Sequence, residues 1–479
     1  MSGSSRQREP ESSLGRVVVW GAYTVLGAAL IWSRLAHLGH SFWHDEIVMV
    51  TSFVREGPRE ILAGPDLSHE LAALLAWLTS TLVGESEIAF RLLSAVPFVA
   101  GAALVAWWLH ARIEPLAGLL FLFLATVSPL LLDITRQARG YGLAFLAMGV
   151  VTVSALEADR SGRRRDVLAL CVAGVVGTWT LPQFGIAWLT TSVVLAASDR
   201  RVRRPTLIGG SVSLAAIVAW YAPHLGQVND ASQIEDGVRI AVPWVVTAPI
   251  DQVLLPALVW LDGTALVAGV VWLPVVLATA LVIGSSPLLR DRTSALVLTS
   301  GVIATVLVLW IAQAYVIPRY LSFLLVPLFV LLASGGASIL RRLTSRPAAV
   351  RSVVCLVAVA LLAVRFVSIA PDVVRLPREA HRDAAEVIEG GGSRTPVLAY
   401  MRNPVDLSFY LDRPVQVLSA SDVSERVCGS TKPVFYVMQP FALADVRVPC
   451  LDRPGVLAYR FPQYARGDEM DVWLVPPRS

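Results

Sequence analysis

Residues 16–38 read RVVVWGAYTVLGAALIWSRLAHL, a mostly apolar run that is long enough to cross a hydrocarbon core as one helix. Similar runs recur along the chain and predict further spans near 88–109, 116–132, 140–157, 167–181, 183–197, 206–222, 265–284, 294–314, 321–340 and 352–370. Hydrophobic residues make up 55% of the chain and charged residues only 16%, whereas about a quarter of a soluble protein is charged. The sequence therefore predicts a mainly α, polytopic membrane helical bundle of about eleven spans, give or take one.

The arginines between these runs predict the orientation of the bundle. Cytoplasmic loops are enriched in Lys and Arg, and arginines cluster at 160–165 and 200–204 on either side of 167–197. Two basic flanks require an even number of crossings between them, so we predict a break at Pro182. The N-terminus is then cytoplasmic, the first span is a retained anchor of a plasma membrane, and an odd total places the C-terminus on the opposite face. The positive charge is nearly all arginine, which indicates a GC-rich bacterial genome rather than a nucleic-acid partner.

Residues 371–479 have a different composition from the bundle of residues 1–370. Short β-prone segments predict strands at 397–400, 415–418, 434–438 and 472–475, and 377–389 is typical of a helix. These features predict a small extracytoplasmic α/β domain. Its Cys428 and Cys450 would lie in an oxidising compartment, which favours a disulfide.

The loop 39–87, after the first span, carries the first candidates for chemistry. Asp45 and Glu46 lie just beyond the membrane surface, where a carboxylate could accept a proton from an attacking hydroxyl. The alternative is a solvated acidic pair at a helix start. His69 and Glu70 precede a short apolar helix that is predicted to lie on the membrane. The four side chains could together hold a divalent cation, an arrangement that we rank below a site without metal.

A second set of polar residues gathers at the same predicted surface, against the positive-inside trend. Asp133, Arg139 and Tyr141 follow the third span, and Arg319 and Tyr320 lie between the ninth and tenth. Arginine suits phosphate because its planar guanidinium donates two parallel hydrogen bonds. These residues therefore indicate a site for an anionic lipid head group, although any single arginine at a span end can be explained by snorkelling.

In these stretches the sequence resembles the GT-C glycosyltransferases, in particular the bacterial branch similar to protein O-mannosyltransferases and lipid A aminoarabinose transferases. The acidic pair Asp45-Glu46 stands where that family keeps its catalytic aspartate. The stretch from Ser68-His69 through Gly84-Glu85-Ser86-Glu87 to Arg91-Leu92-Leu93-Ser94 is similar to its His-Pro-Pro-Leu, Gly-x-Ser-Glu and Arg-Leu-x-Ser motifs. The segment Ser128–Tyr141 resembles Ser-Pro…Glu-Ala-Arg-x-Tyr, and Pro318–Pro327 resembles Arg-Tyr-Leu-x-Pro.

Three positions depart from the family pattern. Glu70 replaces the first proline of His-Pro-Pro, Gln137 replaces a common glutamate, and Gln183 ends a Thr-Leu-Pro-Gln segment where relatives often have Thr-His-Tyr. These departures concern the metal dependence and the identity of the substrate. They leave Asp45 and the arginines unchanged.

The resemblance implies a membrane glycosyltransferase, of hexosyl or pentosyl type, that moves a sugar from a polyprenyl-phosphate donor to an extracytoplasmic glycan, lipid or protein acceptor with inversion. It implies no cofactor. The implied catalytic residues are Asp45, Glu46 and Asp133. The implied donor-phosphate residues are Arg139, Tyr141, Arg319, Tyr320 and Arg91. The positions assigned to the acceptor or a metal are His69, Glu70 and Gln183.

The rival interpretation is a transporter or flippase of a lipid-linked sugar. Such a protein should have charged or broken helices near the bilayer midplane and often internal repeats. Pro182 is the only hint of a broken helix, and the sequence shows no repeat. The ionisable residues concentrate at one predicted surface instead, which favours surface chemistry.

Overall fold

The computed structural model describes most of the chain. The described residues are 13–63, 69–222, 279–311, 318–343, 370–371, 373–377, 380–391, 395–401, 404–411, 413–438, 448–462 and 469–477. Residues 265–278 of the predicted span 265–284 and residues 352–369 of the predicted span 352–370 lie outside these ranges, as does Ser68.

The described part of the chain before residue 344 is mainly helical. Its helices are α1 (Ser13–Leu35), α2 (His44–Met49), α3 (Pro58–Ala63), α4 (Glu70–Val83), α5 (Glu87–Arg112), α6 (Pro115–Val127), α7 (Pro129–Ile134), α8 (Tyr141–Ser161), α9 (Arg164–Thr180), α10 (Phe184–Ser198), α11 (Arg200–Tyr221), α12 (Arg292–Ile311) and α13 (Leu325–Leu343). A π-helical turn, Val50–Val54, continues α2, and a 3₁₀ segment, Pro318–Leu324, precedes α13.

The breaks between helices follow from local sequence. The predicted break at Pro182 is present, because α9 ends at Thr180 and α10 begins at Phe184. The run 116–132 is interrupted at Ser128, whose hydroxyl accepts the Leu131 N–H and so begins a new short helix. Pro129 occupies the first position of that helix, where the missing N–H costs nothing. The second break places residues 135–140 as a loop beside α2.

Four helices in the described part of the chain are long and apolar enough to cross a membrane. They are Glu87–Arg112, Tyr141–Ser161, Arg292–Leu309 and Arg319–Arg342, the last including the 3₁₀ segment. Shorter apolar helices are Glu70–Val83, Pro115–Val127 and Phe184–Ser198. This composition indicates a membrane protein, and the count of about eleven spans stays a prediction.

The bundle packs around large buried side chains. Phe98, Phe121, Phe145, Trp188 and Phe329 are fully buried in one continuous core. Helices α5 and α8 approach closely near their ends, where a Cβ on Gly142 would lie 1.8 Å from the Ser94 carbonyl oxygen. Only glycine fits there, and its N–H donates to the Ser94 hydroxyl at 3.0 Å. This contact fixes the start of α8, and with it Tyr141.

The C-terminal part contains a five-stranded sheet in the order β2-β1-β3-β5-β4. Its strands are β1 (Val397–Tyr400), β2 (Val415–Val417), β3 (Val434–Met438), β4 (Leu457–Pro462) and β5 (Glu469–Val475), and its helices are α14 (His381–Gly390), α15 (Pro404–Tyr410) and α16 (Val423–Cys428). The first three strands are parallel, while β5 runs antiparallel to β3 and β4. A disulfide joins Cys428 to Cys450. The predicted strands are present, and β4 is an additional edge strand.

Candidate active site

Asp45 lies between two arginines that come from distant parts of the chain. Its Oδ2 is 2.5 Å from Nη2 of Arg319 and 3.2 Å from Nη2 of Arg139. Asp45 is in the first turn of α2, Arg139 is in the loop between α7 and α8, and Arg319 is in the 3₁₀ segment. The structure therefore brings together the predicted base and the two predicted phosphate ligands.

The charges and exposure of this trio suit an anion. Two guanidinium groups face one carboxylate, so one positive charge is left in excess. The side chains of Asp45, Arg319 and Arg139 are 18%, 17% and 9% exposed, so the group is accessible but largely shielded from water. A phosphate that enters such a site can take over guanidinium donors that the carboxylate now holds.

Aromatic rings surround the arginines. The Arg319 guanidinium lies 5.0 Å from the ring centre of Trp43 and 5.9 Å from that of Tyr320. The rings of Tyr141 and Tyr320 stack at 6.4 Å, and the His69 ring packs edge-on against Tyr141 at 4.7 Å. These rings restrict the guanidinium of Arg319 and bring two predicted tyrosines and His69 into the same site.

His69 is held in one tautomer. Its Nδ1 accepts the Gly140 N–H at 3.1 Å, so the proton of the neutral ring is on Nε2. Its backbone is in the left-handed region at φ 69°, and its own N–H donates to the Thr180 carbonyl at 3.1 Å. Burial, with Arg139 and Arg319 nearby, holds the pKa of His69 well below 6.5. His69 is therefore neutral at pH 7.

Two buried donors near the arginines have no partner in the part of the chain that the structure describes. They are Nε2 of His69 and the Tyr141 hydroxyl. A buried donor without a partner costs roughly 1–3 kcal/mol. A strained backbone is retained where its surroundings enforce it, which occurs most often at functional sites. The unpartnered donors make His69 and Tyr141 candidates for ligand contact, and the strained backbone adds a second reason for His69.

Glu46 and Arg91 are in a different environment from Asp45. The Glu46 carboxylate is fully buried and accepts from Arg91 Nε at 3.0 Å and Nη2 at 2.6 Å. It also accepts the N–H groups of Trp43 at 3.1 Å and Ala138 at 2.6 Å. These bonds join α2, α5 and the loop before α8. The geometry therefore supports a scaffold role for this pair rather than contact with acceptor or phosphate.

Asp133 lines a small cavity that Glu46 and Arg91 also border. Its Oδ1 accepts from the Gln137 side-chain amide at 3.1 Å. Arg136 donates to the carbonyls of Ser33 at 2.9 Å and Ala36 at 2.8 Å, which ties this loop to the end of α1. The cavity is lined by Trp43, Glu46, Arg91, Asp133, Arg136, Gln137 and Val373.

Glu70 and Gln183 are the remaining predicted site residues. Glu70 is buried and accepts from the Trp220 indole at 2.5 Å, which joins α4 to the end of α11. The Gln183 side-chain oxygen is buried and has no partner among the described residues. Within those residues, no three His, Cys, Asp or Glu side chains group in a way that could hold a metal ion.

The structure adds two residues that the sequence did not single out. His44 Nδ1 lies 2.9 and 3.2 Å from the two carboxylate oxygens of Asp406. His44 immediately precedes Asp45, and Asp406 belongs to α15 beside the C-terminal sheet. A separation of 362 residues hides this pair from any local pattern.

Comparison with solved structures shows the fold. The chain is similar to the aminoarabinose transferase ArnT from Cupriavidus metallidurans in the apo state, with a TM-score of 0.57, 14% identity, and 96% of this chain and 98% of that chain covered. ArnT bound to undecaprenyl phosphate gives a TM-score of 0.54 at 14% identity and the same coverage. The apo oligosaccharyltransferase from Archaeoglobus fulgidus gives 0.51 at 10% identity, covering 90% of this chain and 70% of that one. No protein-family model and no curated protein matches. The chain has the fold of the GT-C glycosyltransferases.

Proposed function

We propose that this GT-C chain is an integral membrane glycosyltransferase that moves a sugar from a polyprenyl-phosphate donor to an acceptor hydroxyl with inversion. The observation that carries the proposal is Asp45 between Arg319 and Arg139, at 2.5 and 3.2 Å respectively, in a partly exposed site of this fold. The same fold in ArnT binds undecaprenyl phosphate. A carboxylate beside two guanidiniums supplies a base and a phosphate site within one cluster.

The reaction would use the two guanidinium groups to bind the donor phosphate and the Asp45 carboxylate to activate the acceptor. The donor phosphate takes guanidinium donors from Asp45, whose oxygen is then available to the acceptor. Asp45 accepts the proton of the acceptor hydroxyl, and the acceptor oxygen forms a bond to the anomeric carbon. The bond from that carbon to the phosphate oxygen breaks, and its electron pair leaves with the lipid phosphate. Arg139 and Arg319 stabilise the charge that develops there.

The neighbouring residues would complete the donor site. The His69 Nε2–H and the Tyr141 hydroxyl are buried donors that can bind phosphate or sugar oxygens, and neutral His69 adds no charge. Tyr320 and Trp43 restrict Arg319 through ring contacts. Glu46 and Arg91 would support the site from behind. Asp133 stays a candidate for orienting the acceptor from its cavity.

We further propose a location in a bacterial plasma membrane, with the N-terminus cytoplasmic and residues 371–479 extracytoplasmic. The positive-inside arginines support this orientation, and the Cys428–Cys450 disulfide fits an oxidising compartment. The acceptor would be an envelope glycan, lipid or protein that reaches the site from the same side.

The test measures transfer and binding separately. Purified protein in lipid nanodiscs is given undecaprenyl phosphate carrying radiolabelled mannose, glucose, galactose or arabinose, together with a membrane extract. We expect Asp45→Asn to lower transfer by about 10²-fold or more, as for loss of a general base. Its binding of undecaprenyl phosphate should persist, because the competing carboxylate has been neutralised.

The second part of the experiment tests the arginines and measures binding of the same lipid, undecaprenyl phosphate. Loss of a charge-assisted hydrogen bond, about 1.5–3 kcal/mol, predicts a Kd for undecaprenyl phosphate about 10- to 100-fold higher in Arg319→Ala. Glu60→Gln and Arg59→Ala, exposed residues of α3, are the matched controls. Unchanged transfer by Asp45→Asn would refute the base assignment. In sealed proteoliposomes, movement of the labelled lipid across the bilayer without transfer to any component would favour a flippase.

A further inference from the structure

Contacts from the C-terminal part converge on the loop that leads into Asp45. Arg382 Nη2 donates to the Gly39 carbonyl at 2.7 Å, and the Phe42 N–H donates to the Tyr410 hydroxyl at 2.6 Å. Arg382 also pairs with Glu87, at the start of α5, at 3.2 Å. The C-terminal part thus touches the main chain of residues 39–42, directly before the predicted base.

The same loop is held from the bundle side. Arg91 donates to the carbonyls of Leu38 at 2.8 Å, His40 at 2.7 Å and Ser41 at 2.9 Å. Residues 38–42 are therefore fixed on two sides by main-chain hydrogen bonds. At the end of this loop, His44 is held by a side chain of the C-terminal part.

That side chain is Asp406, and its environment makes the contact with His44 strong. Asp406 is 1% exposed, and both its carboxylate oxygens lie within 3.2 Å of His44 Nδ1. The buried His381 lies 3.7 Å from the same carboxylate. A buried carboxylate that loses its partner is destabilised. Separation of His44 from Asp406 is therefore unfavourable, and the contact holds His44 in place. The His44 side chain is 34% exposed, whereas that of Asp406 is 2% exposed, so the contact joins a partly exposed ring to a buried carboxylate.

Asp45 follows His44 in the first turn of α2, so the positions of the two residues are linked. A catalytic group displaced by about 1 Å can lose about 10²-fold in rate. Arg139 and Arg319 come from other elements, the loop before α8 and the 3₁₀ segment. The contact between His44 and Asp406 therefore bears on the base and not on the phosphate ligands.

We propose that Asp406 is a positioning residue for Asp45 and acts through His44. The C-terminal part then belongs to the catalytic machinery, because it sets the position of the base. This inference rests on the proposed function, in which Asp45 is the base and the arginines bind the lipid phosphate.

The experiment compares Asp406→Asn, His44→Gln and the double variant in nanodiscs, with Asp422→Asn, an exposed carboxylate of the same part, as control. Transfer is measured with the labelled undecaprenyl-phosphate sugar that the wild type uses, and binding with undecaprenyl phosphate alone. We expect Asp406→Asn to lower kcat about tenfold or more and to leave the Kd for undecaprenyl phosphate within about threefold. The double variant should be within about twofold of His44→Gln, because the two residues act as one unit.

Hydrogen exchange supplies a second readout that needs no turnover. Deuterium uptake over residues 39–46 should rise in Asp406→Asn and stay unchanged in Asp422→Asn. Unchanged kcat and uptake in Asp406→Asn would overturn the proposal. So would a parallel loss of undecaprenyl phosphate binding, or additive effects in the double variant. If Asp45→Asn retains full transfer, the proposed function has failed instead, and the uptake result still shows whether Asp406 orders this loop.

Discussion

Replacement of Arg91 by methionine tests which residues form the scaffold of the site and which bind the ligand. The sequence alone assigns Arg91 to the donor phosphate, whereas the structure places its guanidinium against Glu46 and three carbonyls. Its five hydrogen bonds to them are between 2.6 and 3.0 Å long. The Arg91 and Glu46 side chains are 7% and 0% exposed.

The magnitude follows from what Arg91→Met leaves behind. Removal of one partner of a buried ion pair costs about 3–5 kcal/mol, because the other charge stays buried and uncompensated. Loss of hydrogen bonds by three carbonyls of residues 38–41 adds to this cost. The double variant Glu46→Gln/Arg91→Met removes both charges and should be more stable than Arg91→Met alone. Arg91→Lys keeps the charge, but an ammonium group cannot form the parallel hydrogen bonds of the planar guanidinium. The stability of Arg91→Lys should therefore lie between those of the wild type and Arg91→Met.

The assay is thermal unfolding in nanodiscs followed by tryptophan fluorescence, with undecaprenyl phosphate binding measured well below the unfolding temperature. We expect a midpoint several degrees lower for Arg91→Met and near-wild-type binding by folded Arg91→Lys. Arg319→Ala should show the opposite pattern, with weak binding and a small change in midpoint. A wild-type midpoint for Arg91→Met together with weak binding by Arg91→Lys would refute the scaffold role and return Arg91 to the phosphate site.

Two further predictions concern protonation and the disulfide. The pKa of His69 is held well below 6.5 by burial and by Arg139 and Arg319, so the unfolded chain takes up this proton first as the pH falls. Stability from this source is complete above pH 6.5 and is lost below it, by up to about 1.4 kcal/mol per pH unit. His69→Gln should make the unfolding midpoint less dependent on pH between pH 6.5 and 5. An unchanged pH dependence would contradict the lowered pKa of His69. The Cys428–Cys450 bridge spans 22 residues, a loop whose closure is worth about 3 kcal/mol. Cys428→Ser should therefore speed hydrogen exchange in β1 and β3, whereas equal exchange with and without the bridge would show that it contributes nothing.

Much of the helical architecture could be predicted because apolar length and proline position act locally. The break between α9 and α10 follows from basic flanks and Pro182. The edge strand β4 is harder to predict, since Leu457, Tyr459 and Arg460 are exposed and give no hydrophobic alternation. Helices α15 and α16 have 7 and 6 residues, too few to establish a helical period.

The candidate site also has a part that could be predicted from the sequence and a part that could not. Asp45, Arg139 and Arg319 could be assigned to one surface because the predicted topology places the ends of their spans on the same side. Their mutual distances follow from packing between distant segments, and no sequence spacing encodes such distances. The contact between His44 and Asp406 joins the bundle to α15 across 362 residues, and it depends on how the C-terminal part docks. Such a contact leaves no trace in either local sequence.

Asp45 and Glu46 are adjacent in the sequence, but their carboxylates have different surroundings. Successive residues of a helix point about 100° apart, so the first turn of α2 directs the two carboxylates to different surroundings. Glu46 turns into the protein, where Arg91 and two backbone N–H groups satisfy it and no exposure remains. Asp45 turns toward Arg139 and Arg319 and keeps 18% exposure. A base must reach an acceptor that arrives from outside, and the exposed part of Asp45 fits this role, which we propose for it. The different surroundings of the two adjacent carboxylates thus favour different roles for them.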